Sequence, residues 1–259
     1  MDHVKASSLP GLLLAAGIAI AAVVAAPARA QDKVALRTGP AQEGKVVGVS
    51  GNILRLEIKM PGSAATATKS LPLADVTEVT MDDPPEFTAA ADRLAKGDAK
   101  GAAAALDRLT QAFAGLPAAW AQRASAMLGD AKLAAGDKAG AKAAYDRFAK
   151  TYPQATALAD LGMARLAVDE GKFKDAETRL SKLLASSDKT VFPPAAQAPM
   201  LSQGHYLMGR VLEASGDNQG ALENYLKAAA VFPFDRNAAS DAQARADELR
   251  AKNPGLIAP

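Results

Sequence analysis

Few residues in this chain have the types and spacing that catalysis requires. The chain has no cysteine, and of its two histidines only His205 lies beyond the first thirty residues. Asp82 and Asp83 form a carboxylate pair that could serve acid–base chemistry or bind a metal ion. The segment Gly39–Val46 (GPAQEGKV) has the Gly-Lys of a phosphate-binding loop but lacks the Ser or Thr that should follow. Without a Cys–His pair or metal-ligand spacing, we expect a protein that is not an enzyme and has no cofactor or metal site.

The same residues fit structural roles better. Asp83 is a good N-cap, Pro84 suits the first helical position, and Glu86 completes a capping box, so this linker is typical of a helix start. His205 falls in a helical pattern at a position where a large packing residue is expected. The alternative is a cell-wall or substrate-modifying hydrolase that uses the linker carboxylates, and a deep polar cleft near Asp82 would indicate it.

The first thirty residues have the pattern of a secretory signal. Lys5 precedes an apolar run of 15 residues, Leu12–Ala26, which is shorter than the roughly 20 residues that a membrane-spanning helix needs. Ala28 and Ala30 then supply the small side chains that a signal peptidase requires. We predict a cleaved signal peptide at 1–30 and an exported, periplasmic or secreted chain with no integral membrane span. An uncleaved anchor is the alternative, and the prolines at both edges of the run disfavour it.

The charge balance gives no reason to expect nucleic acid or an anionic membrane as the partner. The full chain has 30 basic and 28 acidic residues, and removal of residues 1–30 leaves 28 and 27, a net charge of +1. The absence of cysteine also excludes disulfides and a lipid anchor on an N-terminal cysteine.

Residues 31–80 have the period of two that is typical of strands. Asn52–Lys59 (NILRLEIK) alternates apolar and charged residues, and Gly51-Asn52 before it has the chemistry of a tight hairpin turn. Four further strands are predicted at Val34–Arg37, Lys45–Val49, Ala67–Leu71 and Val76–Thr80. The order of these features resembles a small Sm-like or SH3-like barrel. Because no aromatic residue is available to stack on a base, we interpret this barrel as a packing or interaction module.

From Phe87 onward the period is helical and alanine dominates. Four helical pairs are predicted, at Phe87–Lys96 with Ala99–Phe113, Pro117–Ala135 with Ala139–Thr151, Ala155–Glu170 with Lys174–Ala185, and Met200–Ala214 with Gln219–Val231. A closing helix is predicted at Asn237–Lys252, and its many charged residues suit a cap on an open helical stack.

The helical pairs recur as a repeat. The segment AGDKAGAKAAYDRFAKTYP (Ala135–Pro153) returns as SGDNQGALENYLKAAAVFP (Ser215–Pro233), with Gly-Asp, Ala, Tyr and Pro at matching offsets. The turn glycines Gly97, Gly136 and Gly171 are followed by Gly216, and the middle interval of 35 residues is close to the period of about 34 in tetratricopeptide repeats. The helical part resembles that family, strongly in the second and fourth units and more weakly in the first and third.

The residue types have a common physical reason. Small residues such as Gly129 and Gly209 let two antiparallel helices approach closely, and Asp98, Asp137 and Asp217 stand where a side chain can cap the next helix. The resemblance implies a mainly α fold, a right-handed superhelix of about four antiparallel hairpins with a C-terminal capping helix. The predicted boundaries are a β-barrel at 31–80, a linker at 81–86, repeats at 87–235, and a capping helix and tail at 236–259.

The resemblance implies a scaffold that binds a protein or peptide partner in the cell envelope, on the concave face lined by the first helix of each pair. The family's groove-facing offsets fall on Arg123, Asp130, Leu158, Leu161, Arg165, Val168, Tyr206, Arg210 and Glu213. Arg165 and Arg210 occupy equivalent places and could form a fork for a carboxylate, although ordinary solvated charges are the simpler interpretation. Self-association through the β module is a further alternative.

Overall fold

The computed structural model describes residues 31–185, 193 and 198–256. The predicted signal peptide, with its cleavage residues Ala28 and Ala30, lies outside the described residues.

The described chain begins with an antiparallel sheet of five strands. They are β1 (Asp32–Leu36), β2 (Gln42–Ser50), β3 (Ile53–Lys59), β4 (Thr66–Pro72) and β5 (Val76–Thr80). Their order across the sheet is β4-β3-β2-β1-β5. The five predicted strands are confirmed, and so is the tight turn before β3, where Gly51 and Asn52 have φ values of 57° and 61°.

The sheet is open, which corrects the predicted barrel. β4 and β5 lie at opposite edges and do not pair with each other. The outer edge of β5 is instead met by the helical part of the chain, because the Val79 N–H donates to the Pro117 carbonyl at 2.8 Å. A loop thus occupies the side of β5 that closure of a barrel would need.

Nine helices follow in the part of the chain that the structure describes. They are α1 (Pro85–Ala95), α2 (Ala99–Ala112), α3 (Ala119–Ala134), α4 (Lys138–Thr151), α5 (Thr156–Asp169), α6 (Phe173–Leu184), α7 (Ala198–Ser215), α8 (Asn218–Leu226) and α9 (Arg236–Lys252). A single π-helical turn, Lys227–Val231, extends α8. Successive helices pack as the predicted pairs α1–α2, α3–α4, α5–α6 and α7–α8, with α9 packed against α8.

The turns between paired helices have the predicted chemistry. Gly136 has a φ of 83°, a left-handed conformation that ends α3 without a Cβ clash. One residue later, the Asp137 carboxylate accepts a hydrogen bond from the Gly140 N–H at 2.8 Å and caps α4. Asp98 and Asp217 cap α2 and α8 in the same way. This turn therefore repeats three times with its capping aspartate.

One predicted cap is wrong. α1 begins at Pro85, its N-cap residue is Pro84, and no side chain caps it. The Asp83 carboxylate instead accepts a hydrogen bond from Arg123, forty residues away on α3. A charged guanidinium competes successfully with the backbone N–H groups for this carboxylate.

The sheet and the first helices share one apolar core. Val34 and Leu54 of the sheet belong to the same buried cluster as Phe87 of α1, Leu106 of α2 and Trp120 of α3. Two further clusters fill the later hairpins, one around Leu180 and Leu207 and one between α8 and α9. α9 closes the stack: Ala242, Ala246 and Leu249 are buried against α8, whereas Asp241, Asp247 and Glu248 are exposed.

Candidate functional site

The first helices of successive hairpins line one side of the stack. α1 contacts α3, α3 contacts α5, α5 contacts α7, and α7 contacts α9. Direct contact between the first helices places them on the inner side of a curved array, as in other helical solenoids. All of the predicted groove residues lie on α3, α5 or α7.

Two predicted groove residues belong to the core instead, and a third packs at its margin. Leu161 and Val168 are each 4% exposed and lie in the buried cluster that α5 shares with α6 and α7. Leu158 is half-buried against the cluster of Phe148 and Tyr152. The buried side chains of Leu161 and Val168 are not available to a partner, whereas Leu158 keeps part of its surface exposed.

Asp130 and Arg165 contact each other across two hairpins. The Asp130 carboxylate on α3 accepts a hydrogen bond from the Tyr145 hydroxyl of α4 at 2.6 Å, and a second from the Arg165 guanidinium of α5. The Arg165 guanidinium also donates to the Gln203 side-chain carbonyl of α7 at 2.7 Å. Both terminal nitrogens of Arg165 therefore donate to groups of the chain itself, whereas the predicted fork with Arg210 would need them for a partner's carboxylate.

The polar chain continues to the start of α9. The Gln203 amide donates to the Asp235 carboxylate at 2.5 Å. The other oxygen of Asp235 accepts from the Ala238 N–H at 2.9 Å and caps α9. A single series of hydrogen bonds therefore joins the second, third and fourth hairpins to the closing helix.

A second acid–tyrosine–arginine cluster lies at the next equivalent junction. The Glu213 carboxylate on α7 accepts from the Tyr225 hydroxyl of α8 at 2.6 Å. Arg245 of α9 donates to both Glu213 oxygens at 2.9 Å. Glu213, a predicted groove residue, thus stabilises the docking of α9. α9 also occupies the place of a first helix in a fifth unit, because its arginine has the role that Arg165 has on α5.

The environment of these tyrosines keeps them protonated. Burial raises the pKa of Tyr145, and the adjacent Asp130 carboxylate raises it further. Burial likewise raises the pKa of Tyr225, with a contribution from its hydrogen bond to Glu213. Each hydroxyl is therefore a permanent hydrogen-bond donor rather than an acid, which suits a structural contact.

Arg123 is also bound within the chain. Its guanidinium donates to the Asp83 carboxylate at 2.5 Å and lies over the Phe87 ring, with 5.3 Å between Cζ and the ring centroid. Arg123 therefore fixes the linker to α3, and its exposed half is the only part that a partner could meet.

Tyr206 and Arg210 are the predicted groove residues with uncommitted donors. They lie four residues apart on α7 and so share one helical face. The Arg210 guanidinium approaches the Asp169 carboxylate only to 3.8 Å, too far for a hydrogen bond. Tyr206 is half-buried against Tyr225, and its hydroxyl makes no hydrogen bond to the described chain. Asp169 and Asp241, both exposed, act electrostatically on the same hydroxyl.

The residues considered for catalysis have structural surroundings. His205 is 2% exposed, its ring stacks on Phe232 with 5.3 Å between centroids, and its Nδ1 lies 3.0 Å from the Asn224 side-chain oxygen. Trp120 is 1% exposed, and its ring packs between those of Phe87 and Phe113. Within the described ranges, no group of three His, Cys, Asp or Glu side chains is placed to hold a metal ion.

No helix among the described residues is long and apolar enough to cross a membrane.

Sequence reasoning missed Gln203, Arg245 and Asp235, which complete the two polar clusters. Their partners are 32 to 38 residues away in the sequence. The one available signal is the interval between Asp130 and Arg165, which is 35 residues and equals the repeat interval between Gly136 and Gly171.

One hairpin of this chain matches a known family model. A tetratricopeptide repeat family model matches residues 125–155. Among solved structures, the "kinesin light chain nearly identical TPR-like repeats" of Podosopora anserina align at 15% identity over 65% of this chain and 87% of that chain, with a TM-score of 0.46. MamA of Desulfovibrio magneticus RS-1 aligns at 15% identity over 66% of this chain and 99% of that chain, with a TM-score of 0.42. No curated protein sequence matches. The matched segment is the α3–α4 hairpin, and the same glycine turn and capping aspartate recur in hairpins on both sides of it. The α3–α4 hairpin therefore matches a tetratricopeptide repeat, and it lies among further helical hairpins behind an N-terminal β module.

Proposed function

We propose that this protein is a non-enzymatic scaffold that binds a protein or peptide partner in the cell envelope. The observation that carries the proposal is the Tyr206–Arg210 face of α7, which lies on the inner side of a rigid helical stack. Three other predicted groove residues already form hydrogen bonds with neighbouring helices of the chain. They are Asp130, Arg165 and Glu213. Binding is therefore concentrated on α7 and its neighbours.

The chemistry of this face suits a peptide main chain. Tyr206 and Arg210 offer hydrogen-bond donors, the Asp169 carboxylate lies 3.8 Å from Arg210 as an acceptor, and Asp241 acts electrostatically on the Tyr206 hydroxyl. A peptide carries both N–H and C=O groups and needs both kinds of partner. Because the surrounding helices are already fixed by the two polar clusters, the face is ordered before a partner arrives, which reduces the entropic cost of binding.

The experiment is capture from envelope extract by the immobilised protein. We expect the double variant Tyr206→Phe with Arg210→Ala to lose most of the captured partner, because it removes both uncommitted donors. Loss of two hydrogen bonds, one of them from a charged group, corresponds to roughly a tenfold or greater reduction in affinity. The matched control is Arg147→Ala on α4, which removes a comparably exposed arginine paired with Asp107 on another helix. Equal capture by the double variant and by the parent protein would contradict the proposal.

The location in the envelope is a separate part of the proposal. It is supported by the apolar run at residues 12–26 and by the Ala28 and Ala30 pair that follows it. Cleavage after Ala30 would leave every described strand and helix intact, since β1 begins at Asp32. We expect N-terminal sequencing of the native protein to begin at Gln31. A protein that retains Met1 and fractionates with the cytoplasm would exclude this location without affecting the partner-binding experiment.

The same geometry disfavours the alternative hydrolase. Asp83 is engaged by the Arg123 guanidinium, and this ion pair joins the linker to a helix rather than preparing an acid–base pair. The observation supports the interpretation of the linker carboxylates as structural groups.

A further inference from the structure

The outer edge of β4 is an exposed strand without the usual protection. Thr66, Ala67, Thr68 and Ser70 are exposed, and β4 pairs with β3 in an unbroken register from Lys59–Thr66 to Ile53–Pro72. Two of the other three strand pairings include bulges, at Val46–Gly48 and at Ala35–Leu36, but the β3–β4 pairing has none. A regular, exposed edge is a template for pairing with another strand.

The backbone groups that face outward can be identified from the ladder. The Met60 N–H donates to the Ala65 carbonyl, and the Leu73 N–H donates to the Asn52 carbonyl. The direction of backbone hydrogen bonding alternates from residue to residue along an antiparallel strand. The odd-numbered residues of β4, like Ala65 and Leu73, therefore direct their N–H and C=O groups toward β3. It follows that Thr66, Thr68 and Ser70 direct their N–H and C=O groups away from the sheet.

The devices that normally block such an edge are absent or turned away. Lys69, the only charged residue of β4, has its ammonium 2.6 Å from the Gln42 side-chain oxygen, across the sheet rather than along the edge. Pro72 comes only at the end of the strand. By contrast, the opposite edge of the sheet is covered where Val79 donates to Pro117. Ala67 lies on the same face as Leu71, which is the helix-facing side, yet it is exposed, so none of the described helices covers this part of β4.

We propose that β4 pairs antiparallel with β4 of a second copy of this chain, about a two-fold axis at Thr68. In this register Thr66 faces Ser70 of the second copy, and Thr68 faces Thr68 of the second copy through a hydrogen-bonded pair. Lys69 faces Ala67 of the second copy, so no like charges oppose each other. Threonine and serine pairs are favourable across strands, and the two sheets join into one of ten strands.

The first experiment measures the mass of the purified protein, with its native N terminus, as a function of concentration. We expect a dimer, and we expect Thr68→Lys to raise the dissociation constant by about tenfold or more, because two ammonium groups would then face each other at the axis. The matched control is Thr77→Lys, at an exposed threonine on β5 away from this edge. A protein that is monomeric at every concentration overturns the proposal. It does so even if the β4 edge binds an extended segment of some other protein.

The second experiment tests the register and uses the absence of cysteine from the chain. The variant Thr68→Cys should form a disulfide-linked dimer under mild oxidation, because the hydrogen-bonded pair at the axis places the two Cα atoms about 5.5 Å apart, within disulfide range. Thr66→Cys should not cross-link, since residue 66 faces residue 70 of the second copy. Equal cross-linking at both positions, or none above that of Thr77→Cys, overturns the proposed axis.

Discussion

At the scale of single residues, the size of a side chain on the first helix of each hairpin is matched to the size of its neighbour on the second helix. The residue seven positions before the turn glycine and the residue nine positions after it are both buried in all four hairpins. The pairs are Ala90 with Leu106, Gly129 with Tyr145, Ala164 with Leu180, and Gly209 with Tyr225. Glycine always accompanies tyrosine, and alanine always accompanies leucine. The space between two close helices is therefore filled to a similar volume by two different combinations.

The glycine is required where tyrosine is present. A Cβ added at Gly209 would lie 2.5 Å from the Tyr225 ring, and one added at Gly129 would overlap the Tyr145 ring. The Tyr145 ring also abuts Gly162 of α5, so it fills a notch between two first helices. The tyrosine hydroxyl can reach the acid of the polar cluster only because no side chain stands in this space.

The compensation predicts a measurable coupling between Gly129 and Tyr145. Gly129→Ala should destabilise the fold by about 1–3 kcal/mol through overpacking, despite the better helix propensity of alanine. Tyr145→Leu alone should also destabilise it, because a cavity forms and Asp130 loses a hydrogen bond. The double variant recreates the combination of the first and third hairpins, so its loss should be smaller than the sum by at least about 1 kcal/mol.

Denaturant unfolding of the four proteins measures this coupling. Gly255→Ala, where an added Cβ would meet no atom within 4 Å, is the control for a glycine without a close neighbour. Additive losses in the double variant would show that the two positions do not share the same space.

At the scale of elements, the sequence predicts most of the fold because the signals are local. The closing helix was expected at Asn237–Lys252 and is found at Arg236–Lys252, and the second helix was expected at Ala99–Phe113 and is found at Ala99–Ala112. Asp98 and Asp235 cap the starts of these two helices, and such chemistry is visible in the sequence.

What the sequence did not predict depends on contacts between distant segments. Asp83 has the type and position of an N-cap, but Arg123 of α3 takes its carboxylate. Closure of the sheet was expected from the number of strands, but the loop at Pro117 meets the edge of β5. Arg123 is far from Asp83 in the sequence, and Pro117 is far from β5.

The candidate site was predicted in part for a related reason. α5 buries residues on several of its faces, because it packs against helices of its own and of adjacent hairpins. Its pattern therefore does not separate groove-facing residues from core residues, and Leu161 and Val168 were assigned to the surface. Tyr206 and Arg210 keep part of their polar groups accessible: the Tyr206 ring packs on Tyr225, and the Arg210 guanidinium comes no closer than 3.8 Å to the Asp169 carboxylate.

At the scale of the whole molecule, both ends of the helical stack are closed. The sheet covers the first hairpins through a common core, and α9 ends the array with a charged outer face. Helical repeats need such caps, since an open end would expose the apolar surface where the next repeat should pack. The β module is accordingly part of the first folding unit rather than an independent domain joined by a linker.

This arrangement predicts that damage to the sheet spreads into the first helices and stops before the last ones. Leu54 of β3 and Leu222 of α8 are both fully buried, in different clusters. Substitution of either leucine by alanine should cost about 2–5 kcal/mol through loss of burial and formation of a cavity. Amide hydrogen exchange shows which helices and strands lose stability in each variant. For Leu54→Ala we expect faster exchange in the sheet and in α2, around Leu106, with α8 and α9 unchanged. For Leu222→Ala we expect the reverse. If Leu54→Ala accelerated exchange in the sheet alone, the sheet would be an independent domain, and the common core would not couple it to the repeats.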